Sequence, residues 1–145
     1  MLDKSLIGRE SEVTVVEVEK GAIARFAEAI GDANPIYVDE AAARAAGYAG
    51  LAVPCTFPAV LAVNERFRHS LDLGTRSLLL GELSIDYGRP VVAGDRIAVK
   101  GRVADVQERA GTSGAMDVLV LETEGRSSEG EVVFRVRETF ILRRS

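Results

Sequence analysis

The residues best suited to proton chemistry in this chain sit together in one turn, GDANPIY, residues 31–37. Asp32 brings a carboxylate, Asn34 an amide and Tyr37 a phenol. A carboxylate in such a place can serve as a general acid or base. No histidine stands beside it; the single one, His69, lies far along the chain. A free tyrosine titrates near ~10 and is a poor base at neutral pH. Asp32 and Asn34 also have a structural use, because short polar side chains in turns accept backbone N–H groups. Residue chemistry alone favours that structural use. A second candidate is the thiol of Cys55 in AVPCTFP, ahead of a helical stretch whose N-terminus could lower its pKa. No histidine follows at a useful position, so Cys55 reads first as a small residue in a tight loop.

These residues must be positioned by the elements around them. Residues 12–19, EVTVVEVE, are β-branched and read as a strand. Residues 21–30 place Ile23, Phe26, Ala27 and Ile30 at helical spacing, and Gly31 stops that helix. Residues 39–46 read as a short helix capped by Asp39 and ended by Gly47. Thr56 can cap the next helix, with Pro58 as an early residue. That helix is expected over about 57–70, with a broad apolar stripe of Phe57, Val60, Leu61, Asn64 and Phe67, widened by Ala62 and Val63.

Beyond Gly74 everything reads as strand. Residues 78–87 alternate Leu79, Gly81, Leu83, Ile85 and Tyr87 against Glu82, Ser84 and Asp86. GRPVVAGD, residues 88–95, is a turn, and strands follow over 96–108, 116–124 and 131–142. RAGTSGA and GRSSEG read as hairpin loops. No repeat or linker divides residues 1–145, so the chain is expected to be a single domain. The order of elements points to an α+β fold, with an antiparallel sheet of five or six strands around a buried helix. Such a sheet leaves an exposed edge, and a dimer is the expected way to cover it.

Composition bounds the function. The chain has 145 residues, 47% hydrophobic and 28% charged, an ordinary globular balance. A net charge of −4 speaks against nucleic acid, which calls for a basic face. The longest apolar runs are too short for a membrane span, and the first residues lack the apolar core of a secretion signal. One cysteine permits no internal disulfide and fits a reducing cytoplasm. His69, Cys55 and the scattered carboxylates make no metal-site spacing, and no nucleotide-binding or serine-nucleophile motif occurs.

The succession FAEAIGDANPIY, VDEAAARAAGYAGLAVPCTFP and LSIDYGRPVVAGD, spanning Gly8 to about Phe140, resembles the MaoC-like hydratase/dehydratase family. GDANP is the most specific part and RPVVAGD the next. The resemblance implies a hotdog fold, in which an antiparallel sheet wraps a long central helix. It also implies lyase chemistry in fatty acid metabolism, with water added to a 2-enoyl thioester or removed from a 3-hydroxyacyl thioester. In the catalytic branch an Asp and a His flank that water. Here the Asp and Asn positions are Asp32 and Asn34, but Tyr37 stands where the His would be. Pro54 and Cys55 replace a His-Gly pair, and proline has no N–H to polarise a carbonyl. The N–H groups of Cys55, Thr56 and Phe57 remain as candidates for that role. Tyr87 and Arg89 could meet the pantetheine or phosphate of a ligand, or could pack and form a salt bridge. Arg143 and Arg144 read as solvated.

These departures resemble the N-terminal half-domain type, which accompanies a catalytic hotdog. In two-subunit 3-hydroxyacyl-ACP dehydratases such a subunit shapes the acyl channel while its partner supplies Asp and His. The resemblance therefore implies an acyl-CoA- or acyl-ACP-binding subunit of an enoyl-CoA hydratase or dehydratase, working without a cofactor or metal. It would form a homodimer, or a heterodimer with a catalytic subunit. Two alternatives stand beside it: a self-sufficient hydratase or hotdog thioesterase using Asp32, and an acyl-CoA binding protein with no catalytic partner.

Overall fold

The computed structural model of the chain describes residues 1–62, 64–74, 77–111 and 114–143. Ile23 and Ala27, one turn apart, are the buried face of helix α1, Lys20–Ala29. It ends before Gly31, whose φ of 71° is left-handed and suits a residue without Cβ. The Asp32 N–H then donates to the Ala27 carbonyl at 3.0 Å, which fixes where the Asp32 turn begins. A 3₁₀ turn follows at Pro35–Tyr37, with Asn34 accepting the Ile36 N–H. Helix α2, Glu40–Ala45, starts at Asp39, whose carboxylate accepts the N–H groups of Ala41 and Ala42.

The stretch 57–70 departs from the single long helix expected of it. It forms two helices, α3 over Pro58–Ala62 and α4 over Glu65–Ser70. Asn64, at φ −118° and ψ 85°, lies outside the helical region, and its side chain accepts the Phe67 N–H at 2.9 Å. An asparagine competes with the backbone for such N–H groups, so it starts a helix more readily than it continues one. The break also resets the apolar stripe. Phe57 and Phe67 are buried, but Val60 is 50% exposed. Val63 of that stripe, the tip of the RAGTSGA loop and Arg144 lie outside the described residues.

Strands β1 (Thr14–Glu17), β2 (Leu78–Tyr87), β3 (Arg96–Gly111), β4 (Gly114–Arg126) and β5 (Val132–Arg143) form one antiparallel sheet in the order β1-β3-β4-β5-β2. Helices lie against one face, giving the α+β architecture that the alternation predicted. The core is divided. One part gathers Ile23, Phe57, Ile97, Val99 and Phe134; the other gathers Phe67, Leu71, Val103, Leu119, Phe140 and Leu142.

β2 does not alternate without interruption. Its register against β5 slips between Leu80 and Glu82, leaving Gly81 as the extra residue of a bulge. Beyond the bulge Leu83 and Ile85 pack on the core, whereas before it Leu78 does. Leu79 therefore faces away from the core, opposite to Leu83, because one inserted residue inverts a period of two. β2 is followed by Gly88, where a Cβ would stand 2.1 Å from the Val132 carbonyl oxygen, so the chain approaches β5 more closely than any side chain allows.

Between the two core regions lies a polar patch under the helix break. Glu138 of β5 is 9% exposed there, beside Asn64 and Thr123. Burial pushes its carboxyl above the ordinary value of 4.5, opposed by the Arg68 charge. The folded state thus holds this proton more tightly than the unfolded state. The associated stability is complete below the unfolded value and is lost as pH rises through the raised folded value. Glu138→Gln is expected to flatten that pH dependence and to stabilise the chain at pH 7 by about 1 kcal/mol. Urea unfolding at several pH values measures both, and an unchanged slope in the variant would contradict the assignment.

Candidate functional site

The turn after α1 brings Asp32, Asn34 and Tyr37 together. The Tyr37 hydroxyl donates to Asp32 Oδ2 at 3.2 Å, and the Asn34 N–H donates to Asp32 Oδ1 at 3.1 Å. Both carboxylate oxygens are thereby engaged, and the turn geometry and the side-chain pair are one structure. Tyr37 is 8% exposed and packs in the core. Burial, then the Asp32 charge and hydrogen bond, push its phenol above the ordinary value of 10. At neutral pH it is a hydrogen-bond donor to Asp32 and cannot take a proton from water.

The loop ahead of α3 reaches the same neighbourhood. Tyr87, at the end of β2, donates its hydroxyl to the Cys55 carbonyl at 2.7 Å. Burial pushes the Tyr87 phenol strongly up, and Cys55 and Tyr37 add to it. Cys55 acts on both phenols, and Tyr48 acts on Tyr37, so four groups converge. A surface hollow of about 380 Å³ opens beside them, lined in part by Tyr48, Val53, Cys55, Tyr87 and Arg89. Tyr48 was not singled out by motif reasoning. Its only sequence signal is its place directly after Gly47, the residue that ends α2.

The remaining residues divide between this hollow and structural roles. The Phe57 N–H donates to the Pro54 carbonyl at 2.9 Å, so it is not free for a ligand. Its ring is buried edge-to-face on Phe26, with centroids 5.4 Å apart. Cys55 and Thr56 are exposed residues, and their N–H groups meet no acceptor among the described residues. Arg89 is committed within its own turn. Nη1 and Nη2 donate to the two Asp95 carboxylate oxygens at 2.9 and 3.1 Å, and Glu131 stands 3.6 Å from Nε. The same Asp95 accepts the Val92 N–H, so RPVVAGD is a self-bonded turn. His69 sits in the last turn of α4, among Arg68, Asp72 and Leu73, and does not join Asp32. Among the described residues no cluster of metal-ligating side chains occurs, and no helix is long and apolar enough to cross a membrane.

An antiparallel sheet in this strand order, faced by helices and carrying the G-D-x-N-P turn, defines a MaoC-like hotdog of the dehydratase type. The chain belongs to the family described as FAS1-like, dehydratase domain region, whose profile matches residues 5–136. It is 35% identical to a UPF0336 protein of Saccharopolyspora erythraea, over 98% of this chain and 92% of that one. It is 37% identical to the UPF0336 protein SCO4636 of Streptomyces coelicolor, over 91% and 89%. Among solved structures it resembles a chain of HadBC, the (3R)-hydroxyacyl-ACP dehydratase complex of Mycobacterium tuberculosis. The TM-score is 0.83 at 26% identity, covering 94% of this chain and 96% of that one. A MaoC-like dehydratase superposes with a TM-score of 0.84 at 25% identity, covering 95% of this chain and 42% of that one. The ChsH1–ChsH2 complex of M. tuberculosis shares the fold, with a TM-score of 0.74 at 24% identity over 91% of this chain and 83% of that one.

Proposed function

We propose that the chain is an acyl-thioester-binding subunit of an enoyl-thioester hydratase or 3-hydroxyacyl dehydratase, completed by a catalytic hotdog partner. The observation that carries this reading is the Tyr37–Asp32 hydrogen bond at the position of the expected general base. Hydration moves one proton off water and another onto the α-carbon, and a protonated, buried phenol cannot begin that exchange. What remains can hold a ligand. In this reading the N–H groups of Cys55 and Thr56 polarise a thioester carbonyl, and the bond from Tyr87 to the Cys55 carbonyl, which ties down the loop that carries them, supports it. The likeness to HadBC, a dehydratase complex, supports the two-subunit reading. Proton transfer and a polarised carbonyl suffice for this chemistry, so the proposed reaction calls for no cofactor. The exposed thiol of Cys55 suits the reducing cytoplasm, where we place the protein.

Calorimetric titration of the purified chain with crotonyl-CoA, beside a hydration assay, tests the proposal. Saturable binding with hydration near background is expected. Robust hydration by the unmodified chain, lost on Asp32→Ala, would instead make it a self-sufficient enzyme.

A further inference from the structure

The polar patch under the helix break holds a carboxyl group that thioester binding does not use. Glu138 is 9% exposed, and its side chain has no hydrogen bond or ion pair among the described residues. It faces a hollow of about 10 Å³, the size of a single water molecule. Asn64, Phe67 and Arg68 line that hollow from the start of α4, and Thr123 lines it from β4. The other walls carry no charge: α3 gives Ala62, β3 Gly101 and β4 Leu121, and Leu83 of β2 stands near Glu138 in register. The remaining charged residues of α4 line separate surface hollows, Arg66 beside Arg9, and Glu65 and His69 beside Asp72. The Arg68 guanidinium is the charge that acts on this carboxyl.

Arg68 is engaged elsewhere. Its Cζ lies 5.8 Å from the centroid of the Phe140 ring. Phe140 follows Glu138 by two positions on the inner face of β5, so ring and carboxyl are neighbours roughly 7 Å apart along the strand. One flexible side chain is offered two partners, and a proton decides between them. Beside a neutral carboxyl the aromatic face attracts the guanidinium more strongly. Beside an ionised one the charge pair prevails, because a buried carboxylate without a counter-charge is costly. A hydrated cation from solvent does not fit the hollow, so Arg68 has no competitor for that place.

We propose that Arg68 is a proton-operated latch between α4 and the sheet, lying over Phe140 while Glu138 is protonated and moving onto the Glu138 carboxylate when that proton leaves. Burial holds the proton, so the latch turns at a pH above the ordinary carboxyl value of 4.5. The non-helical Asn64 separates α4, 6 residues long, from α3. α4 can therefore adjust to either position without carrying α3 and the Cys55–Thr56 loop with it. The latch goes beyond the thioester reading and stands apart from it.

NMR of the unmodified chain follows both partners through one pH series. The Glu138 carboxyl carbon should titrate above 4.5, and the contacts between the Arg68 side chain and the Phe140 ring should disappear through the same midpoint. Arg68→Gln should raise that midpoint by about one pH unit or more, the usual effect of removing a close opposite charge. Glu138→Gln should keep the ring contacts at every pH. Ring contacts that persist across the Glu138 titration, or that fade equally in Glu138→Gln, would overturn the inference. A midpoint at the ordinary value, or one indifferent to Arg68→Gln, would overturn it as well. The titration and the ring contacts are read on the unmodified chain, so a variant that does not fold leaves the test intact.

Discussion

Exchanging Tyr37 for histidine is expected to raise hydration of an enoyl thioester by roughly 10²–10⁴-fold over the unmodified chain, the range that a placed general acid–base supplies. That range corresponds to about 3–5 kcal/mol of barrier. The expectation follows from the pair the structure shows. Tyr37 reaches Asp32 Oδ2 at 3.2 Å, so this position already points at the carboxylate that would orient an imidazole. An imidazole titrates near ~6.5 and can both take and return a proton at neutral pH, which the buried phenol cannot. The gain should fall toward the lower end, because Pro54 offers no N–H and the Phe57 N–H is taken by the Pro54 carbonyl. Single-turnover assays with crotonyl-CoA measure the effect. Adding Asp32→Ala to the histidine variant should erase it. A variant that binds thioester yet gains nothing would remove Tyr37 as the cause of inactivity.

Gly125→Ala is expected to cost about 3 kcal/mol of stability, the upper part of the usual range for overpacking a core. Gly125 of β4 sits opposite Phe134 of β5. A Cβ there would stand 2.5 Å from Phe134 Cζ and 2.9 Å from Ile97 Cγ2. Neither neighbour can yield into solvent, since both are fully buried. For a chain of this size the melting temperature should drop by roughly 6–12 °C. Combining Gly125→Ala with Phe134→Leu should return part of the loss, because the smaller side chain vacates the contested space. Additive losses in the double variant would show that the glycine is needed for something other than this contact.

Local chemistry made much of this protein legible in its sequence. Gly31 ends α1 and Asp39 caps α2 through bonds that span a few residues, so residue type alone placed them. Asp32, Asn34 and Tyr37 fall within one turn, and their meeting needed no distant partner. β5 alternates over many residues, and β3 does so from Ile97 to Val103, because a period of two belongs to the extended chain itself wherever no bulge interrupts it. Tertiary structure decided the rest. The 57–70 segment has the stripe of one helix, but Asn64 turns its side chain onto the Phe67 N–H and divides it over the polar patch at Thr123 and Glu138. Gly81 reads as an ordinary member of an alternating strand until pairing with β5 makes it the bulge that inverts Leu79. Arg89 could meet a ligand or form a salt bridge, and only the folded turn joins it to Asp95. Tyr87 and Cys55 lie 32 residues apart, and the bond between them exists because β2 ends beside the loop that opens α3. Propensity and periodicity act over one or two turns of chain, whereas these contacts depend on which elements the folded sheet brings side by side.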